Sequence, residues 1–339
     1  MRTLAALTLG AVALAVLSPV GGPEGTRTSS PDAGRAERPS SAAAAVPGRP
    51  VAGTRCSVFP ADSWWHADVR RLRVHPRSSA WLSHMSTARD LHPDFGPSDD
   101  GPGYGIPVTV VRSSHRKVRV RFDHASESDR VRYPLGADTR VEGGRASGGD
   151  RHAVVVDRGR CRLYETYDTR VRGGRWQAGS GAVWSLRSNR LRPDGWTSAD
   201  AAGLPILPGL LRWNEVRDDR IDHAIRFTTD VTARRHLWPA RHDAGSSDSR
   251  DVPPMGARFR LRAGWSAAGL SPYARRVVRA MKTYGLVLAD NGSPWFFQGE
   301  QHRRWPEPLI RDLETIPASA FVAVDTAPLR EQADSMAVR

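Results

Sequence analysis

Short runs of alternating or β-branched residues recur along most of this chain. Val108–Val111, Val118–Phe122, Ala153–Asp157 and Arg162–Tyr167 have this character, as do residues 181–186, 223–229, 236–240 and 258–263. Gly, Pro, Asp and Asn clusters separate them at close intervals. The pattern predicts a mainly β fold, an antiparallel sandwich or jelly-roll-like barrel.

Three helical patterns interrupt the strands. The clearest opens with Ser271 as N-cap and Pro272 at the first helical position. It carries Val277, Val278, Met281 and Tyr284 on one stripe and stops at Gly285. A shorter helix is expected over 78–86, and a single turn from Thr197 or Ser198 to Gly203. Asn291-Gly292 lies between the apolar runs 286–290 and 293–297, a strong hairpin signal.

The first 20 residues read differently. Arg2 precedes a nearly unbroken apolar stretch to Val20, as in a secretory signal peptide; an uncleaved membrane anchor is the alternative. Residues 21–53 are rich in Gly, Pro, Ala, Ser and Thr and bury too little apolar surface to offset ordering entropy. They read as a disordered linker, and 327–339 as a frayed tail. The folded unit is thus expected over 54–326.

Composition adds two constraints. The 339 residues carry a formal charge of +14, and all the basic residues but Lys117 and Lys282 are arginine. The cations are scattered, without the continuous stripe of a nucleic-acid footprint, so no nucleic-acid partner is expected. An anionic glycan or cell-wall partner stays open. Cys56 and Cys161 are the only cysteines. In an oxidising compartment they are most simply a disulfide, closing a long loop; a catalytic thiol would need a His partner and a depressed pKa.

Familiar motifs fail on inspection. The glycines at 101, 103 and 105 lack the third GxGxxG position and its strand–loop–helix context; there is no Walker A loop, GxSxG, HExxH or CxxC. Asp94, Asp99 and Asp100 offer a loop for calcium without EF-hand spacing. What remains is a constellation of acids and imidazoles on predicted strands. Asp150, His152, Val154 and Val156 share one face; Leu163, Glu165 and Tyr167 share another; so do His223, Ile225 and Phe227. Such groups on an otherwise apolar face are costly unless paired. Read as chemistry, Asp150 or Glu165 is a general acid/base, with His152, His223 or His242 carrying or orienting a proton. Arg226 and Arg241 then bind carboxylates, and Trp196 and Trp238, with Trp184 and Trp213, offer sugar-stacking surfaces. Hydrolysis would use Asp150 with Glu165; elimination on a uronic acid would use an Arg and a His or Tyr base. Read structurally, the acids are ladder partners of neighbouring arginines and the His are satisfied core residues. A mononuclear metal site would combine two of His152, His223 and His242 with Glu165, but no metal or cofactor is assigned.

Several stretches carry a resemblance. Residues 142–167 (EGGRASGGDRHAVVVDRGRCRLYETY), 176–216 with GWTSADAAGLPILPGL, 221–230 (IDHAIRFTTD), WPARH at 238–242 and 281–299 with LADNGS resemble a family of exported bacterial proteins. HPDFG at 92–96, FPADSWW at 59–65 and PPMGARFRLRA at 253–263 extend the likeness over nearly all of 56–326. That family is known as sequences, without an established reaction. The resemblance implies export and one continuous folded unit, and assigns no catalytic residue.

The expectation is a secreted, carbohydrate-active protein, a glycoside hydrolase or polysaccharide lyase on extracellular polysaccharide. The competitor is a non-catalytic glycan-binding or cell-envelope protein.

Overall fold

A computed structural model describes residues 48–98, 101, 103–144 and 146–339. The expected signal peptide, most of the expected linker, and Asp99 and Asp100 of the loop suggested for calcium lie outside the described residues.

The chain is rich in strands, with few helices, and its sheets are mixed. The largest orders six strands as β1 (His92–Asp94), β13 (Phe296–Gln298), β10 (Ile225–Thr229), β12 (Leu286–Asn291), β11 (Arg258–Leu261) and β14 (Phe321–Val324). A second orders β2 (Val108–Val111), β5 (Ala153–Asp157), β6 (Arg162–Tyr167) and β9 (Ser180–Ser185). A third orders β4 (Arg132–Tyr133), β3 (Val118–Phe122), β8 (Arg175–Ala178) and β7 (Arg170–Arg172). The pairs β1–β13, β10–β12, β2–β5 and β3–β8 are parallel, where an antiparallel sandwich was expected.

Strand alternation divides the side chains between two cores. Val154, Val156, Leu163, Ala182 and Trp184 point into the main core, which also holds Phe227, Phe259, Leu288 and Trp295. Their neighbours Val155 and Tyr164 point the other way, joining Val111, Phe122, Tyr133, Leu135 and Ala178 in a smaller core beneath the third sheet. The second sheet is thus covered on both faces, and β5 is buried throughout, as its unbroken run of valines requires.

The expected long helix forms over Pro272–Thr283: the Ser271 hydroxyl accepts from the Ala274 N–H, and Ala274, Val277, Val278 and Met281 are buried. It stops at Gly285, whose φ is +76° and whose missing side chain leaves room for the Phe259 carbonyl. The shorter expected helix spans Ser78–Ser83. Residues 197–203 form turns, and 236–240 form no strand. Trp213–Arg217 and Glu307–Leu313 are helices the periodicity did not mark. Asn291-Gly292 is not a hairpin turn: β10 lies between β12 and β13, parallel to the first and antiparallel to the second. An apolar run on either side of a turn does not reveal that a distant strand fills the space between them.

Both ends of the expected unit extend. Val51 is buried, and Pro50 bridges to Ser57. The expected tail is laced into the body: the Met336 N–H donates to the Asn189 carbonyl (2.6 Å), and its own carbonyl accepts from the Trp64 N–H (2.7 Å). Met336 is fully buried in the main core. Cys56 and Cys161 form the disulfide, joining the N-terminal segment to the turn before β6. In the chain-entropy account such a loop contributes about 4 kcal/mol.

A frayed tail and a buried anchor differ measurably. Met336→Ala is expected to destabilise the fold by about 2–5 kcal/mol, the cost of truncating a buried methionine. Urea unfolding of the variant beside the parent checks this; unchanged stability would return residues 327–339 to a tail.

Candidate functional site

The side chains proposed from sequence do not converge in one cleft. Glu165 is fully buried on the main-core face of β6. Its carboxylate accepts from the backbone N–H groups of Ile206 (3.0 Å) and Leu207 (2.9 Å) and from Trp184 Nε1 (3.2 Å). Burial outweighs these bonds and pushes its pKa up to about 7. Glu165 pins the turn at 206–209 and has no path to solvent. His223 is also buried, its ring nitrogens facing the Ala224 carbonyl (2.8 Å) and Glu215 (3.1 Å). Glu215 in turn pairs with Arg212 in a closed internal network.

The expected substrate groups are engaged elsewhere. Arg241 donates to the Arg192 and Ala333 carbonyls and to Asp334 (2.8 Å), and Trp238 Nε1 donates to the Ser335 carbonyl (3.1 Å). Both clamp the C-terminal segment. Trp196 lies under the Arg192 guanidinium, 5.4 Å from its ring centre. Trp213 stacks among Tyr273, His302 and Trp305. Asp150 is exposed and contributes its carbonyl to the Asp168 N–H. Among the described residues no group of three His, Cys, Asp or Glu is placed to hold a metal ion.

Two of the proposed residues do meet, around acids the pattern did not select. Arg226, buried on β10, makes a forked contact with Asp200: Nε at 3.2 Å from Oδ2 and Nη2 at 2.8 Å from Oδ1. Nη2 also lies 3.5 Å from Asp290 Oδ2, near the C-terminal end of β12. Gly209 permits this seat, since a side chain there would meet the Arg226 Cβ at 2.8 Å. Asp290 and Asp200 both face the Arg226 guanidinium, so two carboxyls share one cation. Burial and the Asp200 charge together push Asp290 up to about 8, although Arg226 pulls it down. The protonated form of Asp290 is thereby favoured.

His152 faces the same cluster. Its Nδ1 lies 2.6 Å from Glu142 Oε2 and its Nε2 lies 3.2 Å from the Ala199 carbonyl, so both nitrogens donate when the ring is charged. Burial opposes that charge, but Glu142 overrides it and raises His152 to about 9. The reciprocal effect holds Glu142 below its ordinary value despite its own burial. Arg226 acts electrostatically on both Glu142 and His152. Asp94, at the end of β1, is pushed up by burial and by the Glu142 charge.

The cluster is partly open. The Asp290 side chain is 23% exposed and that of Glu142 is 24% exposed. Tyr167, 38% exposed, places its ring 5.8 Å from that of His152. His242 meets the segment that carries Asp200, its Nδ1 2.8 Å from the Ala201 carbonyl. One carboxyl pushed toward its protonated form and one held toward its ionised form, both partly exposed, are the two kinds of group that acid–base chemistry needs.

Sequence reasoning missed Glu142, Asp200 and Asp290. Asp290 carried a usable signal: it ends the apolar run 286–290, and strand C-termini in parallel arrangements are where ligand-binding loops gather. Comparison with protein-family models, curated proteins and solved structures gives no match, so the chemistry rests on the geometry.

Glu165 and Glu142 predict different kinds of defect. Glu165→Ala orphans two backbone N–H groups and is expected to cost about 2–5 kcal/mol in urea unfolding. Glu142→Gln should act on His152. In the parent, a raised imidazole contributes stability that is present below about pH 6.5 and lost as pH rises through about 9. The variant should lose most of that pH-dependent contribution, and the His152 ring should titrate lower by NMR. An unmoved His152 titration would contradict the pairing.

Proposed function

We propose that this chain is a carbohydrate-active hydrolase that cleaves extracellular polysaccharide. Asp290 is the general acid and Glu142 is the carboxylate partner. The observation that carries the reading is the pairing of Asp290, pushed toward its protonated form, with a partly exposed Glu142, held toward its ionised form, around one buried arginine. Glycosidic cleavage needs those two states together: a carboxylic acid to protonate the leaving oxygen, and a carboxylate to attack the sugar or activate water. Asp200 and Arg226 position Asp290, and His152 orients Glu142. Tyr167 supplies an exposed ring beside the pair for a sugar face.

Elimination on a uronic acid is less well supported. It needs a free cation to neutralise the sugar carboxylate, whereas Arg226 is committed to Asp200 and Arg241 to the C-terminal segment. The site pairs assigned from sequence, Asp150 with Glu165, are replaced by Asp290 with Glu142.

The test is incubation of the full chain with neutral and uronic-acid polysaccharides, following reducing ends and the ultraviolet absorbance of unsaturated products. The expected outcome is new reducing ends without absorbance. Asp290→Asn and Glu142→Gln should each lower the rate by about 10²–10⁴-fold, the usual worth of a positioned acid or base. The rate should fall as pH rises through about 8, where Asp290 loses its proton. Absorbance would mean elimination. Binding without cleavage would mean a glycan-binding protein. Either result overturns the proposal.

A further inference from the structure

The third sheet presents an arrangement that the proposed hydrolytic site does not use. On β3 and β4, Arg119 lies directly opposite Arg132. On β7 and β8, Arg172 lies directly opposite Arg175. The parallel register of β3 and β8 sets Val120 beside Trp176, which brings Arg119 level with Arg175. Four arginines therefore form one row across all four strands, about 14 Å long at the usual strand spacing. Alternation places them on the face away from the smaller core, because Val118, Val120, Tyr133 and Trp176 point into that core. All four arginines are exposed. The next row begins with Arg121, also exposed, beside Gln177 and Arg170.

Directly opposed like charges destabilise a sheet. Some arginines elsewhere have a carboxylate partner: Arg170 has Asp168, Arg226 has Asp200 and Arg241 has Asp334. Arg119, Arg121, Arg132, Arg172 and Arg175 meet no carboxylate among the described residues. A groove of about 1420 Å³ borders these strands; Arg119, Arg121, Arg172 and Arg175 contribute to its lining together with Val118, Val120 and Trp176 from the other face, and its one acidic residue is Asp138. An adjoining depression of about 670 Å³ continues past Arg130 and Arg132.

We propose that this row binds an anionic polysaccharide, a polymer bearing a carboxylate on successive sugars, and holds it for the hydrolytic site. Regularly spaced guanidinium forks match regularly spaced carboxylates. A single-stranded nucleic acid would call for aromatic platforms for its bases. On the two central strands Phe122 is buried in the smaller core, and Trp176, half-buried, borders the groove as a single ring rather than the series of platforms that base stacking needs. The choice of a sugar polymer rests on the hydrolase reading; the charge row itself does not.

The test measures binding of the full chain to polygalacturonate, neutral dextran and oligo-dT by fluorescence anisotropy at low and high salt. Asp290→Asn is included so that cleavage does not intervene. Polygalacturonate should bind both the parent and Asp290→Asn, weaken with salt, and lose at least tenfold in affinity in Arg119→Ser/Arg175→Ser. That double variant should melt no lower than the parent, since it removes repulsion; a folded variant with weak binding supports the row. Dextran should not bind. Absence of polygalacturonate binding, equal binding by the double variant, or equally tight oligo-dT binding would each overturn the inference. Arginine-dependent binding with no cleavage by the parent would support the row while refuting the hydrolase.

Discussion

The buried contact between Arg226 and Asp200 organises the site and much of what surrounds it. A guanidinium on the middle strand of the largest sheet has no water to solvate it, so the fold must supply a carboxylate. Breaking such a pair costs about 3–5 kcal/mol, because the remaining charge is left uncompensated. To deliver Asp200, the segment from Ser198 to Leu204 is held in a tight loop. The Ser198 hydroxyl donates to the Leu204 carbonyl and accepts from the Asp200 N–H. The rigid loop then offers its carbonyls outward: Ala199 to His152, Ala201 to His242, and Ala202 to the backbone of Arg241. The loop that delivers Asp200 therefore also holds groups from two distant stretches of chain, His152 and the Arg241–His242 pair.

The same contact sets the protonation of the site. Arg226 satisfies Asp200 first, and the residual negative charge favours the protonated form of Asp290. Glu142 takes the opposite state because its nearest partner is the charged His152. Two carboxyls thus differ in protonation because one is served by a shared cation and the other by a private one. Glu165 shows why a raised pKa alone does not mark chemistry. It too is pushed up by burial, yet it meets only backbone and indole N–H groups and never sees solvent. Exposure separates the catalytic candidates from the structural one.

Strand periodicity made the framework legible. The valines of β5 and the alternation of β6 showed which residues share a face, and Ser271, Pro272 and Gly285 bounded the long helix. The disulfide also followed from having only two cysteines. Sheet order was not legible, because the insertion of β10 between β12 and β13 depends on residues sixty positions away. The site was half legible for the same reason. His152 was selected as a costly polar group on an apolar face and Arg226 as a carboxylate binder, and both lie in the cluster. Their partners Glu142 and Asp200 lie in irregular loops, where no period distinguishes a buried acid from a solvated one. Glu165 and His223 met the same criterion as His152, but partners invisible in the pattern satisfy them, Leu207 for Glu165 and Glu215 for His223. The arginine row was seen only as a scattered cluster, since its regularity depends on strand register.

The central claim is that Arg226 and its acids keep Asp290 protonated and Glu142 ionised at the same pH. Carbon-13 NMR of the side-chain carboxyls in the full chain, titrated from pH 3 to 10, reads this directly. The account predicts one aspartate carboxyl titrating near 8 that vanishes in Asp290→Asn, with the Glu142 carboxyl already ionised well below it. An Asp290 carboxyl ionised by pH 5, in the ordinary aspartate range, would contradict it.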